Sequence, residues 1–253
     1  MAIIQAAQLP EINFIKGKDI EQQQLQSALR LRELAIKQKT ALSNQIKGLL
    51  LEFNVRIYNK DGGIVAGIKA YIEDAENELT CEFRAVLNTA SQQYELLVEA
   101  IATYDMSLEK TVGQHDDCKK LLKLEGVGNV NAVNLYIALG CADLGTFSKG
   151  KDASACIGLT PLQYSSGGKV KLGSIGKYVK NSTLRSQLIV GAMSAVSHAV
   201  RRKAVTKKDV WIQALVERKG KKCAAVALAN KTVRTAFAML TQGTEYKAEY
   251  ILA

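Results

Sequence analysis

From Ile68 to Leu108 an apolar side chain returns at every third or fourth position, and no proline interrupts the run. The series is Ile68, Ile72, Ala75, Leu79, Phe83, Val86, Ala90, Tyr94, Leu97, Ile101, Tyr104 and Leu108. Steps of three and four make a heptad seam with slips. They predict one helix of about 40 residues, roughly 60 Å long. Upstream, Leu31, Ala35, Leu42, Ile46, Leu49 and Phe53 repeat at similar spacings, which predicts a helix over residues 20–54. Asp19 is its N-cap, with Gln22 in the capping-box position. Asn59-Lys-Asp-Gly-Gly63 supplies the turn between the two. Pro10 and Pro161 are the sole prolines of the 253 residues, so little stands against long helices.

The fold class is therefore mainly α. Residues 20–112 read as a long, antiparallel, coiled-coil-like helical hairpin, its seam filled within the chain or between chains. Residues 113–253 read as a basic C-terminal domain of shorter helices. These cover about 117–124, Val130–Leu139 up to Gly140, Thr183 to about Val200, Asp209–Glu217 and Cys223–Leu240. Residues 144–180 are rich in glycine and lysine without a period, and read as helix, turn and loop around a site. Strand signals are weak throughout.

Several function classes drop out early. No apolar run approaches the roughly 18–20 residues of a membrane-spanning helix. The five cysteines (81, 118, 141, 156 and 223) include no CxxC pair. Free thiols in a reducing cytosol fit this pattern better than a zinc ribbon or a disulfide framework. His115 and His198 are too few and too far apart for a histidine-rich metal site.

The net charge of +10 is unevenly spread. Residues 1–116 carry 12 Lys and Arg against 16 Asp and Glu; residues 117–253 carry 22 against 8. A half at +14 points to a polyanion, most commonly nucleic acid. A basic surface without a partner is the bland alternative.

Four segments bear on chemistry. Leu121 to Gly140 has the form of a helix-hairpin-helix, in which Gly126-Val127-Gly128 brings backbone close to a phosphate. A tight αα-turn in the core has the same appearance. Gly145 to Lys151 spaces its glycines and lysine like a phosphate-binding loop, but Asp152 replaces the Mg²⁺-holding Ser/Thr, which excludes that reading. Glu73, Asp74, Glu76 and Glu78 lie on a solvated helical face and not on strands, so no two-metal nuclease set appears. Gly158-Leu-Thr-Pro-Leu-Gln-Tyr-Ser-Ser-Gly-Gly-Lys169 places two serines beside flexible glycines, with Lys169, Lys171, Lys177 and Arg185 nearby. Such cations stabilise a pentavalent phosphate that a serine has attacked. A Ser/Gly-rich surface turn is the plain alternative, and no His/Asp relay supports a hydrolase triad.

Taken in order, further stretches resemble a known family. They are Glu21-Gln-Gln-Gln-Leu-Gln-Ser27, Arg30-Leu-Arg-Glu-Leu34, Thr40 to Leu50, Glu125-Gly-Val-Gly128, Phe147, Gly158-Leu-Thr-Pro161 and Ser165-Ser-Gly-Gly-Lys169. Leu184-Arg185, Gly191-Ala192, Ala229-Asn-Lys231 and Leu240-Thr241 follow. The chain resembles Piv/MooV-type insertion-sequence transposases, the "one-ten" family, on the side of its "eleven-eleven" branch, over roughly residues 1–247.

The resemblance implies a DNA transposase or site-specific recombinase. Its C-terminal domain supplies a serine that attacks DNA phosphate, with Ser166 the candidate and Ser165 the runner-up. Gly126, Gly128, Lys169, Lys171, Lys177 and Arg185 become the nucleic-acid contacts. It also implies DNA and a structured guide (bridge) RNA as partners, a homo-dimer or tetramer, and a bacterial, cytoplasmic, nucleoid-associated location. In the family an N-terminal RuvC-like domain with four acids precedes the segment matching Met1 to Ala7. Residues 1–19 are thus expected to be a linker remnant and Met1 an internal start. Mg²⁺ is expected only in that missing domain, with no cofactor in this chain, which alone is expected not to cleave or exchange strands. Where relatives read Ile-Ser-Lys-x-Gly, this chain has Ile175-Gly-Lys-Tyr-Val179. The competing reading is a non-catalytic, basic helix-hairpin-helix protein that coats or bridges nucleic acid.

Overall fold

The cap assigned to Asp19 is formed in the computed structural model, which describes residues 2–9, 17–57, 63–140, 147–176 and 182–251. The Gln22 amide donates to Asp19 Oδ1 at 2.8 Å, and the Asp19 amide donates to Gln22 Oε1 at 3.1 Å. This reciprocal pair occupies two donors at the start of helix α2 (Ile20–Glu52), which follows a short α1 (Ala2–Ala7). The architecture is mainly helical, with one two-stranded sheet among the described residues. The chain divides into two compact units, residues 27–108 and residues 1–26 with 109–253.

In the first unit α2 is followed by α3 (Gly63–Glu73) and α4 (Cys81–Gln114). Arg32 pairs with Asp105 at one end, while Ile46 and Leu50 share a core with Leu87 at the other, so α2 and α4 run antiparallel. Val55, Ile64 and Ile68 complete that core, and Phe53 meets Phe83 with ring centres 5.2 Å apart. The stripe read from the sequence is only partly the buried one. Ala35 and Ile46 are buried, but Leu31, Leu49 and Phe53 are exposed, and Leu29 and Leu50 take the inner places. Of the expected turn at 59–63, Gly63 alone lies within the described residues, where it opens α3.

The single helix expected through 68–108 is broken at residues 74–80. Side chains there satisfy backbone amides that a helix would otherwise use: Asp74 accepts from Glu76, Asn77 from Leu79 and Thr80 from Phe83. Arg84 then closes the gap. Its guanidinium donates to the carbonyls of Tyr71, Ile72 and Leu79 and to the Asn77 side chain, capping the C-terminal end of α3 from the first turn of α4.

In the second unit α5 (Asp116–Leu121) turns into α6 (Asn129–Leu135), which widens into a π-helical turn at Tyr136–Gly140. The turn between α5 and α6 rests on α8 (Ser182–Arg201), and the fit is close. A Cβ on Gly191 would lie 2.0 Å from the Gly126 carbonyl oxygen, and one on Gly126, where φ is +79°, would lie 2.5 Å from that of Gly191. Asn131 braces the crossing by donating Nδ2 to the carbonyls of Gly126 and Gln187.

Leu184, Leu188, Ala192, Val196 and Ala199 form the buried stripe of α8, which packs along α9 (Lys207–Gln242). The two last helices expected from the sequence are the two arms of α9, joined at Gly220 (φ 81°, ψ 165°). Thr206 and Asp209 cap α9 reciprocally, and the Asp209 carboxylate also accepts from the Val205 amide and from Arg202. Burial raises the Asp209 pKa, yet these hydrogen bonds and the arginine outweigh it, so the group lies below its ordinary 3.8. The tail then returns across the start of α9: the Lys207 amide donates to the Glu249 carbonyl, and the Ile251 amide to that of Val205.

Residues 144–180, expected as helix, turn and loop, form α7 (Gly150–Cys156) and then a β-hairpin, β1 (Pro161–Ser166) with β2 (Lys169–Ile175). Residues 141–146 and 177–181 lie outside the described residues. Both strands are largely exposed; the alternation that marks them is short, Leu162-Gln-Tyr-Ser165 and Lys169-Val-Lys-Leu172, and leads to no buried face.

Two outcomes test this packing. Gly191→Ala should destabilise the chain in urea by about 1–3 kcal/mol through overpacking against backbone, whereas Gly113→Ala, with open space around it, should be neutral or stabilise by up to about 1 kcal/mol. Asp209→Asn should cost about 1–3 kcal/mol near neutral pH. Because the folded pKa of Asp209 is depressed, its contribution is full above 3.8 and disappears as pH falls through the lower folded value. Acid unfolding of the Asn variant should lack that component.

Candidate active site

The Gly167-Gly168 turn has φ of +56° and +75°, and it connects directly paired Ser166 and Lys169. Two successive positive φ values make the two-residue turn that matches the twist of a hairpin, which explains the glycine pair. The register continues with Ser165 opposite Val170, Tyr164 opposite Lys171 and Gln163 opposite Leu172. An irregularity follows between Gln163 and Pro161.

Directly opposed residues share a face of a sheet, and neighbours along a strand alternate. Ser166 therefore stands with Lys169, Lys171 and Tyr164 on one face, while Ser165 stands with Gln163, Val170 and Leu172 on the other. The Ser165 hydroxyl accepts from Gln163 Nε2 at 3.1 Å. The two serines, equivalent in the sequence, thus have different surroundings: two ammonium groups and a phenol ring for Ser166, an amide and two exposed aliphatic side chains for Ser165. Both serines and both lysines are exposed.

Arg185 has a different placement. Its Nε donates to the Gly158 carbonyl at 3.0 Å and its Nη2 to the Ile175 carbonyl at 3.4 Å. A Cβ on Gly176 would overlap the guanidinium at 2.4 Å. Arg185 thereby joins the first and last residues of the hairpin region to α8. Asn230 of α9 makes a matching contact, donating Nδ2 to the Leu159 carbonyl at 3.0 Å, while the buried Ser154 hydroxyl donates to the Asn230 carbonyl at 3.3 Å. The base of the hairpin is held from two helices; its far end is not.

The two glycines of the α5–α6 turn part company. Gly126 is committed to the crossing with Gly191, whereas a Cβ at Gly128, the N-cap of α6, would meet nothing within 4 Å. Glu125, just before them, accepts from Lys208 Nζ and from the Tyr246 hydroxyl at 2.7 Å, and Lys208 lies 4.4 Å over the Tyr246 ring. Burial, then the bond to Glu125, push the Tyr246 phenol above the ordinary tyrosine range, so it stays protonated and donates. Lys177 lies outside the described residues. Among the described residues no three metal-capable side chains cluster. No described helix is long and apolar enough to cross a membrane.

Sequence reading missed the Glu125–Lys208–Tyr246 network, whose partners are about eighty and a hundred and twenty residues away. It also missed a groove beside α9 lined by Lys149, Lys151, Lys222, Lys231 and Arg234. The signal for the groove was present: small and basic residues recur from Cys223 to Thr241 at spacings of three and four.

Comparison with known proteins accords with these features. Residues 118–207, which span the α5–α6 turn, the hairpin and α8, match the model of the transposase IS116/IS110/IS902 family. Over 97% of its length the chain is 34% identical to the transposase for insertion sequence element IS1111A of Coxiella burnetii, covering 66% of that protein. It is 32% identical to a probable family 20 transposase of Pseudomonas aeruginosa, covering 72% of it. With the transposase for insertion sequence element IS1328 of Yersinia enterocolitica the identity is 29%, over 71% of that protein. The chain spans about two thirds of the length of these relatives. It belongs to the IS116/IS110/IS902 transposase family.

Proposed function

We propose that this chain is the serine-bearing part of a DNA transposase, and that Ser166 is its nucleophile. The observation that carries the choice is the hairpin register, which sets Ser166 beside Lys169 and Lys171 and turns Ser165 to the opposite face. In the proposed step the Ser166 Oγ attacks a DNA phosphorus and forms an O–P bond. The bond from phosphorus to the departing deoxyribose oxygen breaks, and the proton lost by serine is balanced by the one that oxygen gains. The phosphoserine keeps the energy of the phosphodiester, so the reverse attack by another DNA hydroxyl completes exchange without a further energy source. Lys169, directly across from Ser166, is placed to neutralise the extra negative charge on the pentavalent phosphorus, with Lys171 beside the flanking phosphate.

Arg185 enters this reading as a positioning residue, since its guanidinium is engaged by carbonyls. The α5–α6 unit enters as a helix-hairpin-helix that places DNA backbone near Gly128, with Gly126 serving the packing. The coiled-coil character of α2 and α4, a guide RNA, a dimer or tetramer, and a cytoplasmic, nucleoid-associated location extend the same reading and rest on the family resemblance. An N-terminal domain with four acids and Mg²⁺ belongs to the same reading and rests on the family resemblance. A second reading, a non-catalytic basic protein that coats nucleic acid, is favoured by the +14 charge of residues 117–253.

In a protein of the relatives' full length that carries this chain, Ser166→Ala should abolish strand exchange and the covalent protein–DNA adduct. Its stability should change by no more than about 0.5 kcal/mol. Ser165→Ala should exchange normally. Loss of exchange in Ser165→Ala alone would move the nucleophile by one residue, and activity in both variants would leave the coating protein as the reading. Lys169→Ala and Lys171→Ala should each lower the salt dependence of DNA binding by about one unit, if each meets one phosphate.

A further inference from the structure

A groove of about 1240 Å³ runs along the second arm of α9. Its walls carry Lys149 and Lys151 from the start of α7, and Lys222, Lys231 and Arg234 from α9. No acidic residue lines it among the described residues, and none of these five cations is ion-paired with a described carboxylate. Five cations without a carboxylate partner on one opening favour an anionic occupant. The floor is of another kind, built from Leu159, Val226 and Phe237. Trp211, the chain's single tryptophan, stands at the wall, with Lys231 Nζ 4.9 Å from its ring centre. Cations above an apolar and aromatic floor suit a strand whose phosphates stay at the rim while its bases turn inward. A duplex keeps its bases stacked inside and leaves such a floor uncovered.

We infer that this groove holds an unpaired stretch of DNA strand. The choice of DNA rests on the proposed serine chemistry. Ile175, the last residue of β2, also lines the groove, so the groove reaches the hairpin base, about 20 Å along the strands from Ser166. The groove holds the strand several nucleotides from the reacting phosphate after its partner strand has separated, and it is a holding site with no part in bond breaking.

Trp211 reports on this directly, because a base against the indole quenches its fluorescence. Titrating the full chain with an oligothymidylate of about 12 nucleotides should give a saturable quench. If each of the five cations meets one phosphate, the affinity should fall about a hundredfold between 50 and 200 mM salt. Lys151→Glu combined with Lys222→Glu should weaken the quenching interaction at least tenfold while circular dichroism and melting temperature stay as in the parent. Ser166→Ala should leave the quench unaltered, so failure of the groove and failure of the serine are read separately. Equal quenching by a duplex of the same length would overturn the inference, as would oligothymidylate binding by anisotropy without quenching. Tighter quenching by oligouridylate would assign the groove to RNA and overturn the choice of DNA.

Discussion

Two backbones meet at Gly126 and Gly191 with no room for a methyl group between them, and the second unit is arranged around that meeting. It sets the depth at which the α5–α6 turn settles on α8. From there α8 carries Arg185 to the hairpin base and lies along α9, which carries Asn230 to the same base. Shape alone would leave the turn free to slide, so polar contacts fix it: Asn131 below the crossing, and the Glu125–Lys208–Tyr246 network beside it. A buried contact without side chains is sensitive to the smallest enlargement, because interiors are packed to the density of organic crystals.

The helices were legible in the sequence because their signals are local. Asp19 with Gln22 announces a start through two hydrogen bonds within one turn, and Gly220 announces a joint between two periodic stretches. The break at 74–80 was hidden because the apolar rhythm runs straight through it. What interrupts the helix is a guanidinium from Arg84, together with short polar side chains that hold their own amides. Periodicity records which residues seek the core and says nothing of where a cap competes with the next turn.

The site was legible in part for the same reason. Two serines next to two glycines and a lysine mark a place where backbone bends sharply near a hydroxyl and a charge. They do not by themselves distinguish a loop from a hairpin whose faces are both wet, and the alternation of Lys169-Val-Lys-Leu172 covers only four residues. Only pairing separates Ser166 from Ser165, and pairing is a relation between residues on different strands. Arg185 shows the converse. A cation near a serine reads as an anion ligand, and here two of its donors also hold the carbonyls of Gly158 and Ile175.

The hairpin has a parity. Its strands repeat every two residues, so one residue inserted or deleted in β1 between the clamped base at Leu159 and the serines would reverse the face they present relative to that base, unless a bulge like the irregularity between Pro161 and Gln163 absorbed it. Composition, charge and helix content would be indifferent to such a change. Length in this short segment is therefore under a constraint of its own: a change of two residues keeps the faces, whereas a change of one needs a bulge to restore them.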